Sequence, residues 1–504
     1  MTARYIAFRV DATSQIGTGH FMRCLTLADA LKQRGAQIRF VSRDLPAHLS
    51  DMLSEKGIEL MALTGNRTAF QADDLAHSHW LGASQAGDAQ ETILALSGHE
   101  WDWLVVDHYA LDIRWESSLR SVVRQIMVID DLADRKHDCD VLLDQNWYAD
   151  MEVRYSTNVP AHCQLLLGPR YALLRGEFYE LRKHMRPRNG HVNRILVFFG
   201  GVDIENYTGL AIRALNRLCV NELQVDVVVG AQHPCREEIE AACAAQGYIF
   251  HVQTRRMGEL MAAADLSIGA GGTAMWERCC LGLPALGICI ADNQQKQIAD
   301  AAEKGLLYAP SSELDVVDLI YRHTEALLEN PPLLKFISRT AKELVDGRGA
   351  VRVGVMLGVT GIEIRTASAN DLNKLFAWRN HPAIRAASRN NSLIDWDDHS
   401  SWFASVMADK DRVLLIGYIG DEPMGVVRFD KEGDAAEISI YLVPEAGFAG
   451  NGRGLLLSAE RWLKVNCLEI KKIRASVLGE NAASQQLFLG ANYRIENIHY
   501  LKEL

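Results

Sequence analysis

The chain has 504 residues, of which 48% are hydrophobic and 23% charged, and its formal net charge is −11. That length exceeds one ordinary core and implies roughly two to four domains of globular composition. The acidic balance argues against a nucleic-acid footprint but leaves open an anionic ligand held by local amides and helix ends.

The start, "MTARYIAFRVD", runs directly into a strand without a cationic leader and apolar core, and no apolar run approaches ~18 residues, so a cytoplasmic protein without a membrane span is expected. Short apolar strands alternate with helical patterns: 5–11, a helix around 20–34, then 37–42, 103–108, 125–130, 139–144 and 164–168. Near-continuous apolar strands between helices predict a parallel sheet covered on both faces. A basic, Pro- and Gly-containing segment at 182–194 reads as a linker. The pattern restarts at 195–201, 224–230, 248–252, 265–272 and 284–290, which predicts a second doubly wound half and a cleft between the two. Beyond 346–361 come the strand 362–367, helices, the strands 412–420, 423–429 and 436–443, then a glycine-rich turn, a helix, the strand 472–478 and a last helix; tight turns between sequential strands, such as 420–422, predict an antiparallel α+β domain. The expected domains are therefore 1–185, 186–350 and 360–504. Ten cysteines make no CxxC pair, so they read as small core residues in a reducing compartment rather than as a zinc or redox motif.

The loop "QIGTGH" places Gly17 and Gly19 before a helix whose first turn holds His20. The glycines permit close backbone approach, and the helix aims free N–H groups and a positive dipole end at the loop, where a diphosphate fits. That end also disfavours an imidazolium, so His20 is expected to be neutral and able to accept a proton. An ordinary helix start with a capping histidine is the rival reading. Other strand ends offer similar loops. Gly200 and Gly201 in "FFGGVDIEN" form one. Gly271, Gly272 and Thr273 in "GAGGTAMWE" form another, with Glu277 one turn on to accept ribose hydroxyls. Asn293 and Gln294 in "ADNQQ" offer sugar or phosphate contacts, with helix capping as the alternative. Asp107 and Tyr109 in "VVDHYALD" end another strand, where they reach the cleft or serve as a turn cap and a rim aromatic. Asp130 and Asp131 read as a self-capping corner rather than a metal pair.

With "RVDATSQIGTGHFMRCLTLA", "VVDHYALD", "IDDLADRKHDCDVLLDQN", "LLGPRYALLRGEF", "FFGGVD" and "DNQQKQ", residues 1 to about 350 resemble the UDP-2,4-diacetamido-2,4,6-trideoxy-β-L-altropyranose hydrolases of pseudaminic acid biosynthesis, themselves similar to MurG-type glycosyltransferases of the GT-B fold. The resemblance implies an inverting, metal-independent hydrolase that releases UDP at C1, with His20 as base and Tyr109 beside the reacting centre. Such hydrolysis needs a base for water on one face and stabilisation of the departing diphosphate on the other, for which amides of Gly201, Gly272 and Thr273 at helix starts are candidates.

In the last domain, "YLVPEAGFAGNGRGLLLSAERWL" is a strand, a loop with Gly450, Gly452 and Gly454, and an amphipathic helix. Consecutive exposed amides at a helix start cradle a pyrophosphate, and a plain glycine turn is the alternative. Followed by a strand and "ENAAS", this order resembles the GNAT N-acetyltransferases. "LFAWRNHPAIR" and "DHSSWF" further resemble the branch that acetylates UDP-4-amino-sugars. That implies acetyl-CoA as co-substrate, with its pyrophosphate on 450–454, its pantetheine along 436–443 and Asn481 as a polar contact. Two departures stand out: Ala449 where the family has Gln or Arg, and Phe488 where a general-acid tyrosine is common. Trp378, Arg379 and Asn380 either face the sugar nucleotide or pack as an ordinary helix. The expected fold class is thus a GT-B-type pair of doubly wound domains followed by an α+β GNAT domain. The expected function is bifunctional, with acetylation of a 4-amino UDP-sugar followed by hydrolysis to UDP and free sugar. A GT-B glycosyltransferase, or a hydrolase with a non-catalytic GNAT-like binding or dimerisation module, are the alternatives.

Overall fold

The computed structural model describes residues 4–13, 15–64, 74–218, 223–290, 294–310, 314–359, 361–388, 390–420, 422–444, 451–479 and 481–496. The chain divides into two compact units, Met1–Val353 and Gly354–Leu504.

The first unit contains two parallel sheets. One has seven strands, β1 (Tyr5–Val10), β2 (Gln37–Ser42), β3 (Glu59–Ala62), β4 (Trp101–Asp107), β5 (Val123–Ile129), β6 (Val141–Asp144) and β7 (Gln164–Leu167), in the order β3-β2-β1-β4-β5-β6-β7. The other has five, β8 (Arg194–Phe198), β9 (Gln224–Val229), β10 (Ile249–Val252), β11 (Leu266–Ala270) and β12 (Ala285–Ile288), in the order β10-β9-β8-β11-β12. Every residue of "WDWLVVD" in β4 is buried, as a central strand covered by helices on both faces requires. In each sheet the strand order reverses beside the first strand, between β1 and β4 and between β8 and β11. Crevices for ligands open at the carboxyl ends of such neighbours. The one strand of this sheet that periodicity missed, β3, is a short edge strand whose "ELMA" is mostly exposed and so carries no apolar run to detect.

The core explains how the halves stay together. Ala172, Leu174 and Phe178, from the end of the first half, share a buried cluster with Leu196, Met261, Trp276 and Ile298 of the second. The segment expected as a linker is thus partly a helix, Gly176–His184, which buries Phe178 and bonds through Arg182 to the carbonyls of Cys280 and Lys342.

The second unit has five strands, β13 (Ile362–Thr366), β14 (Arg412–Ile419), β15 (Glu422–Glu432), β16 (Ala435–Leu442) and β17 (Lys472–Ala475), paired in chain order. The first three pairings are antiparallel, as expected, but β16 and β17 are parallel. The helix Gly452–Asn466 lies between these two strands in sequence and provides the crossover a parallel pair needs. Its Leu455 packs directly on Gly417 and Gly425, where any Cβ would lie 2.4 Å from a leucine methyl. The first unit is thus a GT-B-type α/β pair of parallel sheets, and the second an α+β unit with one mixed sheet.

Candidate active site

The β1 loop folds as its glycines require. Gly17 adopts φ +76° and its N–H bonds to the Thr13 carbonyl at 2.8 Å. Gly19 differs: its φ is ordinary, and a Cβ there would meet nothing within 4 Å, so the protein's own packing does not demand glycine. Gly19 opens the helix Gly19–Lys32, whose N-cap Thr18 makes no side-chain capping bond.

His20 is the second residue of that helix and only 9% exposed. Its Nδ1 lies 2.6 Å from Oδ1 of Asp107, the last residue of the neighbouring strand β4. Arg23, one turn further along the helix, grips the same carboxylate with Nε at 2.6 Å and Nη2 at 2.7 Å. Burial pushes the Asp107 carboxyl up, but Arg23 and His20 outweigh it and hold the group well below the usual carboxylate range. Asp107 therefore stays an anion, which can only accept, so Nδ1 carries a proton and the lone pair of a neutral ring is placed on Nε2. Asp107 is itself buried and holds the imidazole through Nδ1.

Tyr109 presents its ring edge-on to His20, with centroids 4.6 Å apart, and donates its hydroxyl to Asp131. Burial and then Asp131 drive the phenol well above its ordinary value. Trp80 stacks on Tyr109 at 5.7 Å and His77 lies 5.4 Å from it, which builds an aromatic wall beside the base. The two acids of "IDD" part company. Asp130 takes the Ala133 N–H at 2.9 Å and pairs with Arg135 at 2.8 Å, which is the self-capping corner expected. Asp131 instead collects Tyr109, Arg23 at 3.2 Å and Asn146 at 3.3 Å. Asp131 is therefore not part of the capping corner expected of it, and Arg23 and Asn146 escaped the sequence reading. The i, i+3 spacing of His20 and Arg23, which puts them on one helix face, was the available signal for Arg23.

In the second half, Gly200 turns with φ +108° and Gly201 approaches Gly230 so closely that a Cβ on Gly230 would lie 1.9 Å from the Gly201 oxygen. The expectation that Gly201 stands at a helix start is corrected: the helix Tyr207–Leu215 begins six residues later. Its first amides are already taken, Tyr207 and Thr208 by Asp203 at 2.9 and 2.8 Å and Gly209 by Asn206 at 3.0 Å. The other loop is open. Gly272, at φ +78°, is the N-cap of the helix Thr273–Cys280 without a side-chain cap, and a Cβ on it would meet nothing within 4 Å. Thr273 is the first helical residue. Glu277, one turn on, has a side chain 14% exposed; burial raises its pKa and Arg175 counters from 3.4 Å. Asn293 lies outside the described residues, while Gln294 places its buried Oε1 beside Gly271.

In the second unit, Ala449 and Gly450 lie outside the described residues. Gly452 and Gly454 form the first turn of Gly452–Asn466, where Asn451 gives no side-chain cap. β16 pairs with β17 only over Ala435–Ile438 and runs on to Leu442, so the two strands part at the level of Ser439. Asn481 caps the helix Ala482–Gly490 by accepting the Ser484 N–H at 3.0 Å. Phe488 is buried, its ring 5.0 Å from that of Tyr493. Trp378 packs inward with Leu375 and Trp402, and Asn380 brackets Ile394 with two hydrogen bonds at 2.8 and 2.9 Å. Arg379 bonds the Asn390 carbonyl at 3.0 Å.

No family model matches the chain. An uncharacterized protein of Methanocaldococcus jannaschii is 22% identical across 97% of this chain and 96% of its own length. The UDP-2,4-diacetamido-2,4,6-trideoxy-beta-L-altropyranose hydrolase of Campylobacter jejuni is 24% identical over 303 residues, which are 60% of this chain and 97% of that protein. Among solved structures, that of Phytolacca americana UGT2 complexed with UDP-2fluoro-glucose and pterostilbene covers 71% of this chain and 99% of its own at TM-score 0.51 and 12% identity, a likeness of fold. The paired parallel sheets of the first unit thus have a GT-B-type fold. Among the described residues, no helix is long and apolar enough to cross a membrane.

Proposed function

We propose that the first unit hydrolyses a UDP-linked 2,4-diacetamido-2,4,6-trideoxyhexose at C1, releasing UDP with inversion. The reading rests on the His20–Asp107 pair at the β1–β4 crevice, an arrangement that leaves Nε2 free to take a proton. His20 removes a proton from water as the oxygen attacks C1; the C1–O bond breaks and its electron pair leaves with the diphosphate. The amides of Gly272 and Thr273, at the helix start opposite, would receive that charge, and Glu277 would take the ribose hydroxyls. Gly17 and Gly19 would let the sugar nucleotide approach the first helix, with Gly200, Gly201, Asn293 and Gln294 completing the rim. The halves 1–185 and 186–350 thus hold sugar and nucleotide respectively.

The second unit, 360–504 by this reading, would transfer acetyl from acetyl-CoA to the sugar's 4-amino group before hydrolysis. Support comes from the helix start at Gly452 and Gly454 and from the parting of β16 and β17, whose unpaired edge can bond the amides of a pantetheine arm. With Phe488 in the place of the usual acid, the thiolate would leave to be protonated by water.

Product analysis by NMR decides both reactions. The full chain is incubated with the 4-amino and the 4-acetamido UDP-sugars, each with and without acetyl-CoA and without an acceptor. Free 4-acetamido sugar plus UDP, with label from heavy-oxygen water in the sugar, supports the reading. Label in UDP, or no turnover without an acceptor sugar, overturns the hydrolase. His20→Gln should abolish turnover while UDP binding persists; equal loss of both would make His20 structural.

A further inference from the structure

Asn146 sits just past β6, its N–H held by Asp144 at 2.9 Å, and is 6% exposed. Its side-chain amide is used by both halves of the unit. Oδ1 accepts from Nε1 of Trp276 at 3.0 Å and from Nε2 of Gln297 at 2.7 Å, both side chains of the second half. Nδ2 donates to Asp131 at 3.3 Å in the first half. The orientation follows from two partners of fixed sense, because the opposite flip would press the NH2 group against the Trp276 donor and turn the carbonyl oxygen to the Asp131 carboxylate. Trp276 is wholly buried and lies in the helix that Gly272 and Thr273 open. Asp131 bonds Arg23, and Arg23 forks onto the carboxylate that supports His20. A continuous line of polar contacts, buried except at the half-buried Asp131, thus runs from the open helix start of one half to the base of the other.

The geometry points to Asn146 as a positioning residue that makes the setting of His20 depend on the docking of the nucleotide-holding half. It touches neither substrate nor His20; it acts through Asp131 and Arg23. Without it, the Trp276 and Gln297 donors and the Asp131 carboxylate each lose a buried partner, and Arg23 loses part of what fixes its fork. The base would remain but would no longer be registered against the bond to be broken, where small misplacements slow reactions strongly. Coupling of this kind is reciprocal: nucleotide on the second half must be felt at the first.

The kinetic arm rests on the hydrolase reading above; the spectroscopic arm does not. In the full chain, Asn146→Leu should lower kcat by about 10–100-fold, as loss of an outer support does elsewhere, and weaken UDP by less than about 3-fold. Unchanged kcat, or equal loss of kcat and UDP affinity, would overturn the inference. Trp276→Phe, which deletes one donor and keeps most of the packing, should act in the same direction. The double variant should be no worse than Asn146→Leu alone, whereas effects that multiply in full would refute a shared line. In the spectroscopic arm, ring-labelled histidine is observed by NMR, with the His20 signal assigned by its loss in His20→Gln. UDP alone should move that signal in the wild type and leave it in place in Asn146→Leu. A wild-type signal that ignores UDP, or a variant signal that moves equally, sinks the proposal. If the signal behaves as expected but no UDP-sugar is hydrolysed, the coupling stands and the hydrolase reading falls.

Discussion

Nδ1 of His20 and Oδ1 of Asp107, 87 residues apart in the chain, lie 2.6 Å apart across the β1–β4 crevice. Arg23 Nη2 also lies near Nδ1, at 3.2 Å, yet both are donors and meet only because they share the carboxylate. The pair therefore fixes which imidazole nitrogen is free.

Asp107→Asn keeps the shape and loses that instruction. The amide can present its NH2 group to Nδ1 and so favour the tautomer with its proton on Nε2, the wrong nitrogen for a base. Turnover should fall by about 10²–10⁴-fold, the range for a mispositioned or mis-tautomerised base. UDP affinity, measured by calorimetry, should stay within about 3-fold, since the nucleotide loop is on the other half. An active Asp107→Asn enzyme would remove Asp107 from the mechanism.

Gly19→Ala separates ligand from scaffold. Nothing in the protein fills the space a Cβ would take, and Ala is the better helix former by up to about 1 kcal/mol. The melting temperature should hold or rise slightly. The KM for the UDP-sugar should rise, because the methyl group would stand where the substrate approaches. A variant with unchanged KM would show that the substrate does not approach that turn.

The residues at strand ends were legible because glycine runs and polar side chains interrupt apolar strands there, and crevice and loops coincide in a doubly wound sheet. Asp107 was visible as a strand-end acid, but its partner was not, since nothing local links positions 20 and 107. Asn146 reads as one more polar loop residue until Trp276 and Gln297 arrive from beyond residue 270. The Gly200–Gly201 loop misled for the opposite reason. Asp203, at φ +44°, bends back onto the helix start and occupies its amides, a conformation uncommon for a residue with a side chain. The parallel β16–β17 pair was implicit in the intervening helix, yet the tight turns before it suggested a continued meander.

Asp144 ties stability to pH. Its carboxyl is pushed up to about 8, first by burial and next by Asp131. The folded state thus keeps a proton that an unfolded aspartate releases near pH ~4. A group raised in this way contributes stability that is complete below pH ~4 and is lost as pH rises to about 8, with a slope of at most roughly 1.4 kcal/mol per pH unit. Urea denaturation of wild type and Asp144→Asn at pH 6 and pH 8 should show the wild type losing stability relative to the variant. The variant retains an oxygen for the Asn146 N–H and a partner for the Tyr155 hydroxyl, now 3.0 Å away. Parallel behaviour of the two proteins would mean that Asp144 is ionised in the fold.

Glu277 tests the nucleotide half. Its carboxylate costs burial and is only loosely repaid by Arg175 at 3.4 Å, so a pair of ribose hydroxyls would satisfy acceptors that the free protein leaves underused. Glu277→Gln retains the volume and weakens the acceptor. UDP should bind about 10-fold more weakly, roughly 1.4 kcal/mol, whereas uracil, which lacks the ribose, should not distinguish the two proteins. The kcat at saturating substrate should change by less than about 3-fold, because the ribose is gripped equally before and during bond breaking. Equal UDP affinity in wild type and variant would take the ribose role from Glu277, and its carboxylate would then serve to anchor Arg175 between the halves.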